Sequence, residues 1–191
     1  MSTPRKSRTV PDKPAKSRTT RRTGSRSGRS AVTASRRPPP SGTETYTLEV
    51  YLLGGPVSEK YAGKTVFRTL ELAGKHTLCD LHVLIFKAFD REEEEPWEFQ
   101  FGDEFHDPKN VRYGPPPCGR RVKNASRVSL DSLELKPGTA FGYVFDPVED
   151  WCHSVQVKKV SRAARAVSPR IVKRVGKSPP QHDEDDIVFE F

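Results

Sequence analysis

Cysteine, methionine and long apolar runs are all scarce in this sequence, and each scarcity excludes something. The three cysteines, Cys79, Cys118 and Cys152, are odd in number, far apart and free of any CxxC pair. A secreted disulfide scaffold and a structural zinc finger are therefore not expected. No apolar run approaches the roughly 18 residues of a membrane-spanning helix, and no apolar core of a secretory signal opens the chain. Hydrophobic residues make up 34%, below the roughly 45–50% (glycine included) of ordinary globular domains. GxSxG, HExxH, P-loop and GxGxxG patterns are all missing, so hydrolase and kinase chemistry has no motif to rest on. A soluble, cytoplasmic, non-enzymatic protein with no cofactor is the expectation.

What the chain does have is charge in blocks. Residues 1–41 carry 12 Lys/Arg against the single Asp12, residues 42–156 are mildly acidic, residues 157–178 hold eight Lys/Arg and no acid, and residues 179–191 hold five acids and no Lys/Arg. The net +8 thus belongs to the ends and not to the middle. Residues 1–43 are Arg, Ser, Thr and Pro with almost nothing apolar, a composition that cannot offset the entropy of ordering, so a disordered basic tail is expected. Its prolines argue against the amphipathic helix of a transit peptide. Thr3-Pro4-Arg5-Lys6 resembles the basic elements of DNA-associated tails, and Arg21 and Arg22 add to the same charge.

From Tyr46 the pattern becomes periodic. Tyr46, Leu48, Val50 and Leu52 alternate with polar neighbours, as a half-buried strand requires. A second strand is expected at 66–72, and an amphipathic helix over 78–90 with Thr77 as N-cap and Asp80 completing a capping box. Strands follow at 97–101, 139–145, 151–160 and 170–175, with a helical turn at 129–133. The Pro- and Gly-rich stretch 102–123 reads as one long surface loop. These elements predict a single α+β domain over 44–181, with a mainly antiparallel mixed sheet, one principal helix packed on it and a β-grasp-like arrangement. Residues 182–191 form an acidic tail.

YTLEVYLLGGPV, RTLEL, TLCDLHVLIFKAFDREEEE and WEFQFGDEFHDP, then VSLDSLELKPGTAFGYVFD, EDWCHSVQV and PRIVKRVGKSPPQ, together resemble the plasmid pRiA4b ORF-three-like family over roughly residues 46–181. The resemblance implies the fold and an association with plasmids and mobile elements, with no established biochemical activity. Two departures stand out. The family's Asp-Phe-Gly-Asp-x-Trp-x-His corner reads Asp146-Pro147-Val148-Glu149-Asp150-Trp151-Cys152-His153, with Val148 in the glycine position. Glu95 or Pro96 stands where many members place a histidine, so any role of that histidine does not transfer.

Two sets of residues carry functional readings. Lys158, Lys159, Arg162, Arg165, Arg170, Lys173, Arg174 and Lys177 would form a basic hairpin able to meet several phosphates. With the tail, this predicts weak, non-specific nucleic-acid binding; a solvated ribbon neutralised by the acidic C-terminus is the alternative. His82 lies on the apolar arc of the helix and His153 on the apolar face of its strand. With Asp146 at the nearby corner, the two could make a metal or acid–base site, although buried histidines satisfied by hydrogen bonds are commoner. In the loop, His106 with Asp103 and Asp107 is a further cation candidate. Cys79 and Cys152 have no base positioned for them by any motif. A protein-interaction domain using a sheet edge is the third functional class.

Overall fold

Period-two alternation dominates the chain, and the alternating segments assemble into one sheet. The structure, a computed structural model, describes residues 43–182. Strands β1 (Thr43–Leu52) and β2 (Phe67–Ala73) precede helix α1 (Leu78–Ala88). β3 (Trp97–Phe101), β4 (Val111–Gly114) and β5 (Val122–Asn124) follow, then two 3-10 turns at Ala125–Arg127 and Asp131–Leu133. β6 (Ala140–Phe145), β7 (Trp151–Ala163) and β8 (Arg170–Val175) complete the fold. The sheet order is β5-β4-β3-β6-β7-β1-β2-β8, and only β4 with β5 is parallel.

The expected class, a mixed and mostly antiparallel sheet with one principal helix, is the one observed. The β-grasp-like detail is not: β1 lies between β7 and β2 and is antiparallel to both, whereas a β-grasp sheet has a parallel central pair. The expected loop 102–123 also differs, because it contributes β4 and β5. β4 pairs Tyr113 with Phe99 and so brings a buried aromatic ring to the core.

Thr77 begins the helix as expected: its hydroxyl accepts from the Asp80 amide at 3.2 Å, and the Asp80 carboxylate accepts from the Thr77 amide at 2.7 Å. Such a box contributes about 1 kcal/mol. The helix stops at Ala88, short of the expected residue 90, where Asp90 turns left-handed at φ 56°. Its open C-terminal carbonyls are met by cations: Arg68 Nε donates to Ala88 O at 2.7 Å, and Arg174 Nη2 to Lys87 O at 3.0 Å. Positive charge is favourable at this end of a helix.

α1 lays Leu78, Leu81, Leu84, Ile85 and Ala88 on one face of the sheet, against Leu48, Val50, Leu70, Leu72, Tyr143, Phe145 and Val155. After β8 the chain returns beneath the helix end. Gln181 Oε1 accepts from the amides of Glu92 (2.9 Å) and Glu93 (3.1 Å), tying residues 178–181 to the segment before β3. Among the described residues the opposite face of the sheet carries no helix, and it positions both candidate sites.

Candidate functional site

The basic segment does not form a hairpin. β7 and β8 are separated in the sheet by β1 and β2, so its strand-borne cations lie on two strands with two others between them. Several are already engaged. Lys158 Nζ lies 3.3 Å from Glu49, and Arg162 Nη2 lies 3.6 Å from Glu44. Arg170 Nε donates to Glu71 at 2.9 Å. Arg174 caps the helix and pairs with Asp90 at 2.9 Å, which makes it a structural residue. Lys159, Arg165, Lys173 and Lys177 have no carboxylate within 4.0 Å among the described residues. Arg5, Lys6, Arg21 and Arg22 lie outside the described residues.

Strand register shows what surrounds these cations. On the face without a helix, Ser154, Tyr51 and Phe67 stand side by side; the next row is Gln156, Glu49, Thr69 and Lys173; the third is Lys159, Thr47, Glu71 and Arg170. A bulge between Thr47 and Leu48 inserts Lys158 beside Lys159. Tyr51 and Phe67 stack at 5.0 Å between ring centroids, and Lys173 Nζ lies 5.6 Å above the Phe67 ring. The result is a polar face with two half-buried aromatic rings, four cations (Lys158, Lys159, Arg170, Lys173) and two carboxylates (Glu49, Glu71).

The two histidines expected to form a metal or acid–base site do point inward; each Nδ1 has a hydrogen-bond partner, whereas His153 Nε2 is buried without one among the described residues. His82 Nδ1 meets the Tyr143 hydroxyl at 2.8 Å, and its ring stacks on Trp97 at 4.0 Å. His153 Nδ1 donates to Trp151 O at 3.0 Å, and its ring packs edge-on against Phe89. Burial pushes the pKa of His82 down to about 4, and Glu94, 3.5 Å away but largely in water, does not offset it. Burial, with the Arg91 charge adding to it, pushes His153 down to about 3. Asp146 spends Oδ1 on the amides of Val148 and Glu149 in the corner turn. Among the described residues these three do not come together as a ligand group; the structure places the two histidines in the core and Asp146 in the corner turn.

A different group does converge. His106 Nε2 lies 2.9 Å from Asp150 Oδ1, Cys152 Sγ lies 3.3 Å from that same oxygen, and Sγ and Nε2 are 3.9 Å apart. His106 reaches this point because its amide donates to the buried Gln100 side chain at 2.7 Å, which fixes the β3–β4 loop. Asp107, expected beside His106, instead accepts from the Lys109 amide at 2.8 Å and turns away. Cys152 sits at the start of β7 on the face without a helix. Burial and the neighbouring carboxylate push its thiol up to about 12, so the metal-free thiol is protonated and is not a nucleophile poised for attack. Beside the group a pocket of roughly 240 Å³ is lined by Leu53, Gly102, Phe105, Gly142 and Ser154 among others. Sequence spacing carried one usable signal, the polar phase of Cys152; His106 is 44 residues from Asp150 and no local motif joins them.

With the geometry established, comparison with known proteins places the chain. The family model described as "Plasmid pRiA4b ORF-3-like protein" matches residues 56–186. The chain belongs to the plasmid pRiA4b ORF-3-like family. Within this pRiA4b ORF-3-like domain, the altered corner keeps its turn by other means. The left-handed positions are Asp146 (φ 50°) and Asp150 (φ 55°), while Val148 is exposed and is not left-handed. A crystal structure of a protein of unknown function from Methanosarcina mazei Go1 is similar, at 19% identity and a TM-score of 0.58, over 73% of this chain and 74% of that one. At that identity the likeness concerns the fold alone. No curated protein matches the chain.

Proposed function

We propose that this pRiA4b ORF-3-like domain is a non-enzymatic accessory module that binds nucleic acid with low sequence preference, seating single strands on the helix-free face of its sheet. The observation that supports the reading is the stacked Tyr51–Phe67 pair set among Lys158, Lys159, Arg170 and Lys173. Bases offer π-faces to such aromatic platforms whatever their identity, while phosphates seek the flanking cations. Charge neutralisation releases counterions, and that release sets the affinity. The basic N-terminal segment adds charge of the same sign without base readout. Pairing of Lys158 and Arg170 with Glu49 and Glu71 reduces the field, consistent with weak rather than tight association.

The test is a salt titration of fluorescence polarisation with a labelled single strand and with a duplex. It compares the full chain, a chain lacking residues 1–41, and the full chain carrying Lys159→Glu and Lys173→Glu. Binding should weaken steeply with salt, with a logarithmic slope near 0.7 per phosphate contact for single strands. Both changes should flatten that slope, and the paired substitution should weaken the single strand more than the duplex. Binding that ignores salt, or survives both changes at full strength, overturns the proposal.

A further inference from the structure

We propose that His106, Asp150 and Cys152 form a mononuclear site for a zinc-class divalent metal, a property independent of the sheet-face reading above. Three ligand atoms of three types meet at one place: an imidazole nitrogen, a carboxylate oxygen and a sulfur, with edges of 2.9, 3.3 and 3.9 Å. Ligands bound tetrahedrally at about 2.0–2.3 Å from zinc lie about 3.3–3.6 Å from one another, and the observed edges bracket that spacing. Among the described residues this is the group of three potential ligand side chains that comes together so closely.

The connectivity separates a metal site from a catalytic relay. In a nucleophile–base–acid relay the base stands between the other two groups. Here one oxygen, Asp150 Oδ1, contacts both His106 and Cys152, while the histidine and the sulfur are the longest edge. Three ligand atoms within 3.9 Å of one another can close on one cation. The charges agree: a thiolate, a carboxylate and a neutral imidazole around a divalent ion sum to zero. On binding, the metal–sulfur bond replaces the S–H bond and the thiol proton leaves to solvent. Zinc, rather than magnesium or calcium, fits a set containing sulfur and nitrogen.

Each ligand is also held by the fold. The Cys152 carbonyl accepts from the Leu53 amide at 2.9 Å, and its amide donates to Gly54 O at 3.2 Å. The Asp150 amide donates to Asp146 O at 2.7 Å, closing the corner. Gln100 holds the His106 amide. The His106 and Asp150 side chains remain about half exposed, so a fourth position opens to solvent, as in metal sites that keep a water or take a ligand.

The experiment titrates Co²⁺ and then Zn²⁺ into chelator-treated, reduced full-length protein. A thiolate-to-cobalt charge-transfer band at one equivalent, displaced by Zn²⁺, is expected. His106→Asn, which removes the imidazole and suits the left-handed backbone there (φ 61°), should weaken binding by more than the roughly 10–100-fold that loss of an outer partner costs. Asp150→Asn, which tolerates the left-handed backbone, should weaken it likewise, and Cys152→Ser should abolish the band. Cys118→Ser should change nothing. Absence of the band in the unmodified protein, or its persistence in Cys152→Ser, overturns the proposal.

Discussion

Arg68 is 1% exposed and meets no carboxylate among the described residues, yet every one of its guanidinium nitrogens donates to oxygen. Nη1 serves the carbonyls of Phe67, Val175 and Gly176 at 2.9–3.1 Å, Nε serves Ala88, and Nη2 serves the Ser178 hydroxyl at 2.6 Å. Such completeness offsets the desolvation of the buried charge. One side chain thereby joins β2, the end of α1 and the segment after β8. Arg68→Met should lower unfolding free energy by about 3–5 kcal/mol, because several buried neutral acceptors lose their donor at about 1–3 kcal/mol each. Arg170→Met, which breaks only an exposed pair with Glu71, should cost under about 1 kcal/mol. Urea midpoints measured on the two variants decide it; equal losses would show that the buried network carries no special weight.

Among the elements, those with six or more residues of clear periodicity were legible in the sequence: β1, β2, α1, β6, β7 and β8 all stand within a few residues of their expected places. β3 was legible too, through its Trp-x-Phe-x-Phe alternation. β4 and β5 were not. Three or four residues set among Pro115, Pro116, Pro117 and Gly119 have too little pattern to show against a loop background, and tertiary pairing with β3 defines them. The charged strands misled in another way. Sequence shows that Lys158–Lys177 is basic, but sheet order decides that two strands intervene and that Arg174 turns to the helix. The His106, Asp150 and Cys152 group was hidden for the same reason, since a loop, a corner and a strand meet only in three dimensions. The loop that delivers His106 is seated by Phe105, whose ring covers Gly142 of β6. A Cβ at Gly142 would come within 2.7 Å of that ring. Gly142→Ala should therefore lift the β3–β4 loop, and Co²⁺ titration should show weaker binding while the thermal midpoint of the fold moves by a few degrees at most. Unchanged metal affinity would mean that Phe105 does not position His106.

On the scale of the whole molecule the sheet divides two environments, a charged face in water and an apolar face in which His82 and His153 sit as neutral rings. That division makes stability depend on pH. In the unfolded chain both histidines titrate near 6.5, while in the folded chain burial holds them at about 4 and about 3. Between these values the unfolded state binds more protons than the folded state, so the free energy of unfolding rises with pH. Stability should be full above about pH 7 and should be lost progressively as pH falls from about 6.5 toward 4, by about 1.4 kcal/mol per pH unit for each histidine. The Glu49 carboxylate, held low chiefly by the Tyr51 hydroxyl and also by Lys158, adds a loss in the same direction, but only near and below its ordinary range. The interval from pH 6.5 to 5 thus reports on the histidines. Urea unfolding of the full chain at pH 7, 6 and 5 should show that slope, and His82→Gln with His153→Gln should flatten it whatever the absolute stability of the double variant. A slope unchanged by removing both rings would mean that neither is kept neutral by the core.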